Sequence, residues 1–121
     1  MPRRPPATGR FAKLLALPSL LALACASPTL PLPPPELPTQ TVGVDADHIT
    51  LSAGCGAVES EAVVIIINES PAVPGDKAVS GALANACGQW DASVFAHSGD
   101  WLQVTQVADS ETSPRTLVHV R

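Results

Sequence analysis

The chain has 121 residues and no tyrosine, and its two Trp and two Phe together make up only 3% of it. A core of that composition has to be built from Val, Ile, Leu and Ala, with Trp90 as its one bulky anchor. Basic residues are scarce as well. Of the seven, Arg3, Arg4, Arg10 and Lys13 fall in a leader, so the remainder carries three against eleven acidic residues, a net charge of −8. No basic stripe exists to neutralise phosphates, and no aromatics interleave with Lys or Arg for base stacking, which excludes nucleic acid as a partner. No apolar run reaches the roughly 20 residues of a membrane-crossing helix. Nothing from Val44 to Arg121 repeats with a 3.6-residue period of useful length, which leaves no place for a packed helix. The chain also lacks a Cys-x-x-Cys, a histidine cluster and a Gly-x-Ser-x-Gly elbow, so neither a cofactor nor a metal is expected.

What is present begins with an export leader over residues 1–24. Arg3, Arg4, Arg10 and Lys13 form its basic part, and Leu14 to Ala24 form an apolar part interrupted by Pro18 and Ser19. The leader ends Leu21-Ala22-Leu23-Ala24-Cys25. This segment resembles the lipobox of bacterial lipoproteins, with apolar residues at the third and fourth positions before the cysteine and a small residue directly before it. The resemblance implies that Cys25 becomes the first residue of the mature protein and carries lipid. Several acyl chains anchor durably where one is marginal, since each buried methylene contributes about 0.8 kcal/mol. The alternative is ordinary signal-peptidase cleavage after Ala22-Leu23-Ala24, which is also an Ala-x-Ala site.

Pro28, Pro31, Pro33, Pro34, Pro35 and Pro38 then crowd into a short stretch. Proline removes amide donors and fixes φ, so a disordered polyproline II linker is expected over 25–43, a stalk between anchor and domain. The folded domain is expected over 44–121.

Alternation in that domain has period two. Ile49, Leu51, Ala53 and Cys55 share one face of a first strand. Val63 to Ile67 is a run of five β-branched residues, which reads as a central strand buried on both faces or nearly so. Val79 to Asn85 reads as a weakly patterned edge strand. Trp90, Ala92, Val94 and Ala96 share a parity, as do Leu102 and Val104 across Ser98-Gly99-Asp100. Val118 and Val120 point inward from a last strand. The expected fold is all-β: a small antiparallel sandwich of six to seven strands. Ser98 to Asp100 either closes a hairpin or arches from one sheet to the other. The arch is favoured, and both place Trp90, Val94, Leu102 and Val104 in the core.

The segments Asn85-Ala86-Cys87-Gly88-Gln89-Trp90-Asp91, Ser98-Gly99-Asp100-Trp101-Leu102 and Ala108-Asp109-Ser110-Glu111-Thr112-Ser113-Pro114 are similar to the C-terminal half of bacterial Ig-like repeats. They are also similar to the related carboxypeptidase-regulatory-like modules. Gly54-Cys55-Gly56-Ala57-Val58 before the Val63 strand resembles the front half of those modules. The sequence departs from that pattern at Cys87, Ser110, Glu111 and Glu59. Such modules share no common activity, so the resemblance implies a sandwich with a binding or spacer role and no catalysis. With Cys25 lipidated, as its own resemblance implies, Cys55 and Cys87 remain as a disulfide pair, and the family pattern places both in loops that precede strands. Two free thiols are the alternative.

Candidates for chemistry are few. Asp45, Asp47 and His48, with Glu59, Glu61, Asp100, Asp109 or Glu111, could offer oxygens to Ca²⁺, although carboxylates in loops of an acidic exported domain are ordinarily just solvated. His97, Ser98 and Asp100 evoke a hydrolase set but lie in one tight turn, where a relay cannot form. Trp101 has the outward parity, with Phe95 as a possible neighbour. An exposed indole can seat a sugar ring or anchor a protein, or merely cover a loop. Two functions follow as expectations: a lipid-anchored Ig-like module of the bacterial cell envelope with a structural or protein-interaction role, or a small carbohydrate- or ligand-binding domain using Trp101 and acidic loops. The expected partners are the membrane, through the anchor, and an envelope protein or glycan.

Overall fold

A computed structural model describes residues 30–121; the expected leader and the lipidation of Cys25 lie outside them. Eight strands follow in order: β1 Thr39–Val42, β2 His48–Ala53, β3 Val63–Asn68, β4 Val79–Leu83, β5 Trp90–Phe95, β6 Trp101–Ala108, β7 Glu111–Thr112 and β8 Thr116–His119. The only helical piece among the described residues is a single 3-10 turn at Gly75–Lys77. One sheet has the order β1-β2-β5; the other runs β4-β3-β6, with β7 and β8 pairing different parts of β6. Every pairing is antiparallel. The two sheets enclose one core of Leu51, Val64, Ile66, Trp90, Val94, Leu102, Val104, Val118 and Val120, with small Ala side chains between them. This is an all-β sandwich.

The period-two alternation does what a pleated strand requires. Trp90, Ala92 and Val94 of β5 are buried while Asp91 and Ser93 face out, and Leu102, Val104 and Gln106 of β6 are buried from the opposite sheet. Because β5 pairs β2 and β6 pairs β3, Ser98 to Asp100 is an arch between sheets. The connection is held by its own backbone: the Gly99 amide donates to the Val120 carbonyl at 2.8 Å, and the Val120 amide to that of Asp100 at 2.9 Å.

Two expectations need correction. The β3 run is central, between β4 and β6. It is not buried on both faces, however: Val64 and Ile66 are enclosed, whereas Val63 is exposed and Ile65 and Ile67 are half-buried, since no further layer covers the second sheet. As expected, β4 is an edge strand, and it turns its large residues outward. Its register with β3 sets Leu83 opposite Val63 and Val79 opposite Ile67, leaving Ala82 on the inner side, where β5 passes close beneath.

The second correction concerns the linker. The folded unit begins at Pro31, not at residue 44. Pro35 and Pro38 are buried, and Thr39–Val42 forms an edge strand on β2, with Thr41 opposite Thr50. Proline does not prevent this, because a chain without amide donors can still lay its carbonyls against donors elsewhere. Gln106 Nε2 donates to the Pro33 carbonyl at 2.8 Å, the Thr116 hydroxyl donates to the Pro35 carbonyl, and the Glu36 amide donates to the Ala57 carbonyl at 3.1 Å.

Gln106 is the buried side chain that makes this docking possible. It is fully enclosed, and its Oε1 also accepts the Glu59 amide at 2.8 Å. Replacing it with Leu keeps the volume but leaves the Glu59 amide and the Pro33 carbonyl without partners. The expected cost is about 2 kcal/mol, read as a lower urea midpoint, since two hydrogen bonds worth about 1 kcal/mol each are lost. Amide exchange at Glu36 should also accelerate, because the 31–36 segment loses one of its three ties.

Candidate functional site

The polar and aromatic residues singled out above divide between the two ends of the sandwich. One end holds the start of β2, the end of β3, the end of β5, the start of β6 and the end of β8, as the registers His48↔Phe95, Asn68↔Leu102 and Trp101↔His119 require. The other end holds the Cys55–Cys87 bridge, the Glu59 to Glu61 turn, the β6–β7 hairpin and the incoming residues 31–38.

Asn68 organises the first end. It is buried, and its Nδ2 donates to the Phe95 carbonyl at 3.0 Å and to Asp100 Oδ2 at 2.9 Å, while its Oδ1 accepts the Ser70 amide at 2.9 Å. One side chain thus ties β3 of the second sheet to β5 of the first and to the arch between them. Asp100 Oδ2 also accepts the His97 amide at 2.9 Å. Burial raises the pKa of the Asp100 carboxyl. The hydrogen bonds from Asn68, the His97 amide and Ser70 outweigh that and, with the His97 ring nearby, hold it below the 3.8 of free aspartate.

A carboxylate with a lower pKa in the folded state lends stability that is present above its unfolded value and lost as pH falls through the folded one. Asp100→Asn lacks that increment. The variant should melt below the wild type near neutral pH, and the gap should close as the pH is lowered from about 7 to about 2.5. Thermal melts across that range check it.

Trp101 projects outward, as its parity requires, and is half exposed. Its neighbour is His119 of β8, stacked at 4.4 Å between ring centroids with 24° between planes, and not Phe95. The arch sends β5 and β6 into different sheets, so their outward residues face opposite ways. Phe95 instead sits edge-on between His48 at 5.6 Å and His97 at 5.3 Å, with Lys77 Nζ 5.3 Å from its ring centre. Beside Trp101 an open depression of about 320 Å³ is lined by Glu69, Ser70, Pro71, Gly99, Asp100 and the indole. It combines one aromatic plane, one proline and two carboxylates.

The sets proposed for chemistry are distributed differently from a working site. His48 Nδ1 lies 2.8 Å from Asp45 Oδ1, and this hydrogen bond, then the Asp47 amide, holds the Asp45 carboxyl below its ordinary pKa. Asp47 is occupied by His97 Nε2 at 2.8 Å. Glu59, Glu61, Asp109 and Glu111 belong to the opposite end, and among the described residues no three of His, Cys, Asp and Glu come together as a metal-holding group. In the set His97, Ser98 and Asp100, the Asp100 carboxylate takes the backbone of His97 while the ring of His97 turns to Asp47, so no relay is formed. The bridge pairs Cys55 with Cys87, at 4.9 Å between Cα atoms.

Asn68 and His119 were not singled out from the sequence. The sequence marks His119 by outward parity alone, and the pairing of β8 with β6 is what sets it beside the indole. No family model, curated protein or solved structure matches the chain. The fold and the site therefore define its class by themselves: a small disulfide-bridged β-sandwich with an aromatic depression at one end.

Proposed function

We propose that the chain is a lipid-anchored module of the bacterial cell envelope, Ig-like in fold, which acts by binding and not by catalysis. The observation that supports this most is the polarity of the domain. Residues 31–38 enter at the disulfide end, and the Trp101–His119 stack with its depression lies at the other. The aromatic end of the sandwich is therefore the one opposite the point where residues 31–38 join it.

Growth of a bacterial host expressing the full chain with an alkyne-bearing fatty acid tests the anchor. The wild type should carry the label and sediment with membranes, and Cys25→Ser should do neither. An unlabelled wild type cleaved after Ala24 would overturn the anchor.

A second reading, a carbohydrate site, is favoured by one observation, the indole plane set beside the Asp100 and Glu69 carboxylates. Those acceptors suit the hydroxyls of a sugar stacked on the ring. Indole emission titrated with soluble envelope glycans should respond in the wild type and not in Trp101→Ala. The same response in both proteins would retire that reading.

A further inference from the structure

The depression beside Trp101 is defined by what its lining leaves unused. Glu69, Ser70 and Pro71 follow β3, Gly99 and Asp100 belong to the arch, and the indole closes the ring. The backbone donors of the first five are spent. The Glu69 amide donates to the Trp101 carbonyl at 3.0 Å, the Gly99 amide to the Val120 carbonyl at 2.8 Å and the Asp100 amide to the His97 carbonyl at 3.0 Å. The Ser70 amide donates to Asn68 Oδ1 at 2.9 Å, and Pro71 has no amide to give.

The acceptors are in the opposite condition. Among the described residues the ion pairs are His48–Asp45 and His97–Asp47, so neither Glu69 nor Asp100 has a cation opposite it. Asp100 Oδ2 holds the Asn68 side chain and the His97 amide, bonds that also favour the ionised carboxylate, and Oδ1 holds neither. Glu69 is exposed. His119, which stacks on the indole, is not part of the lining, so the part of the ring turned to the depression is uncovered.

An indole surface attracts a cation through its ring electrons, and two carboxylates without partners attract the same charge. A sugar is served only in part here. Each of its hydroxyls is an acceptor as well as a donor, and its oxygens would give up water for a lining with few donors. An ammonium or guanidinium group has donors and no acceptor, which matches the lining. We propose that the depression receives a lysine or arginine side chain of a partner protein, its charge met by Glu69 and Asp100 and its alkyl stem laid along Trp101 and Pro71. The size agrees, since about 320 Å³ stands at the low end of the roughly 300 to 1,000 Å³ of ligand sites and holds one side chain, not a polymer. The wider field agrees as well. The chain beyond its leader has three basic and eleven acidic residues, net −8, which draws a basic partner and repels an acidic one. The inference rests on the reading of the chain as a binding module and is independent of its anchor.

The test is a titration of the full chain, in a neutral detergent at pH 7, followed by the amide resonances of Ser70, Gly99 and Asp100. The probes are N-acetyl-lysine methylamide, N-acetyl-arginine methylamide and, as the uncharged counterpart of the first, N-acetyl-norleucine methylamide. At least one cationic probe should shift these amides saturably with a Kd on the order of millimolar, and the two together show which side chain fits better. The norleucine probe should bind at least roughly tenfold more weakly. Glu69→Gln should weaken the cationic probe roughly threefold at low salt, with less effect at high salt, and Trp101→Ala should abolish the saturable shifts. Unchanged resonances at the opposite end, around Cys55 and Cys87, show that either variant is folded. Equal binding of the norleucine probe, an affinity unmoved by Glu69→Gln, or no shift with either cation would overturn the inference. Soluble envelope glycans form a further arm. Shifts with glycans and none with cations remove the cationic ligand and keep the depression as a binding site; no shift with any of them removes both.

Discussion

Reduction of the Cys55–Cys87 bridge lowers the melting temperature by roughly 15 to 30 °C, the shift that about 3.5 to 4 kcal/mol produces in a domain of this size. The bridge closes an interval of 32 residues that contains all of β3 and β4, so it restricts the unfolded chain over a third of the domain. A sandwich of some 90 residues has only about 5 to 10 kcal/mol to lose. The loops it joins fit closely as well. The Gly56 amide donates to the Cys87 carbonyl at 2.6 Å and the Val58 amide to the Gly88 carbonyl at 3.3 Å. Gly88 sits at φ +84°, where a Cβ would stand 2.1 Å from the Val58 carbonyl oxygen. The two loops meet backbone to backbone, and the bridge covers a contact that already exists. Melts with and without reductant, and of a Cys55→Ser/Cys87→Ser double variant, measure the effect. A shift of only a few degrees would mean that the backbone contact carries the junction alone.

The sequence made the core strands legible and left their margins obscure, for physical reasons that differ by residue. Trp90, Val94, Leu102 and Val104 could be placed because burial on one face of a strand imposes a period of two that no neighbour can alter. The arch at Ser98 to Asp100 was legible in the same way, since its two flanking runs have inward faces that need not pair with each other. Thr39 to Val42 gave no such signal. Three of its four residues are exposed, and what makes it a strand is the free edge of β2, a property of the assembled sheet.

The docking of Pro33 and Pro35 was hidden for a similar reason. Proline content predicts the extended backbone correctly, but whether that backbone is solvated depends on donors, Gln106 and Thr116, that lie more than 70 residues later. At the candidate site, the outward parity of Trp101 was readable. The identity of its neighbour was not, because β8 pairs β6 on the side of the sheet away from Phe95. The β-branched run at Val63 is instructive in another way. It reads as doubly buried, but the sandwich covers only one of its faces and leaves Val63, Ile65 and Ile67 on the other.

Trp90 is where the scarcity of aromatics has its largest consequence. The indole is enclosed between the sheets, opposite Ala53 of β2, in a core otherwise made of aliphatic side chains and alanine. Trp90→Ala is expected to cost about 3 to 5 kcal/mol, because the lost transfer free energy is joined by a cavity that rigid neighbouring strands cannot close. Taken with the marginal stability of the domain, that leaves the variant largely unfolded once the bridge is reduced. Trp90→Phe is expected to cost only about 1 kcal/mol. The reason is that Nε1 is buried with no hydrogen-bond partner in the protein. Phenylalanine therefore gives up some volume but no bond, and removes a donor whose burial is itself unfavourable by roughly 1 to 3 kcal/mol. Urea denaturation of the three proteins distinguishes the contributions. A Phe variant as unstable as the Ala variant would show that the indole nitrogen is bonded in solution, and that Trp90 is kept for its polarity and not for its bulk.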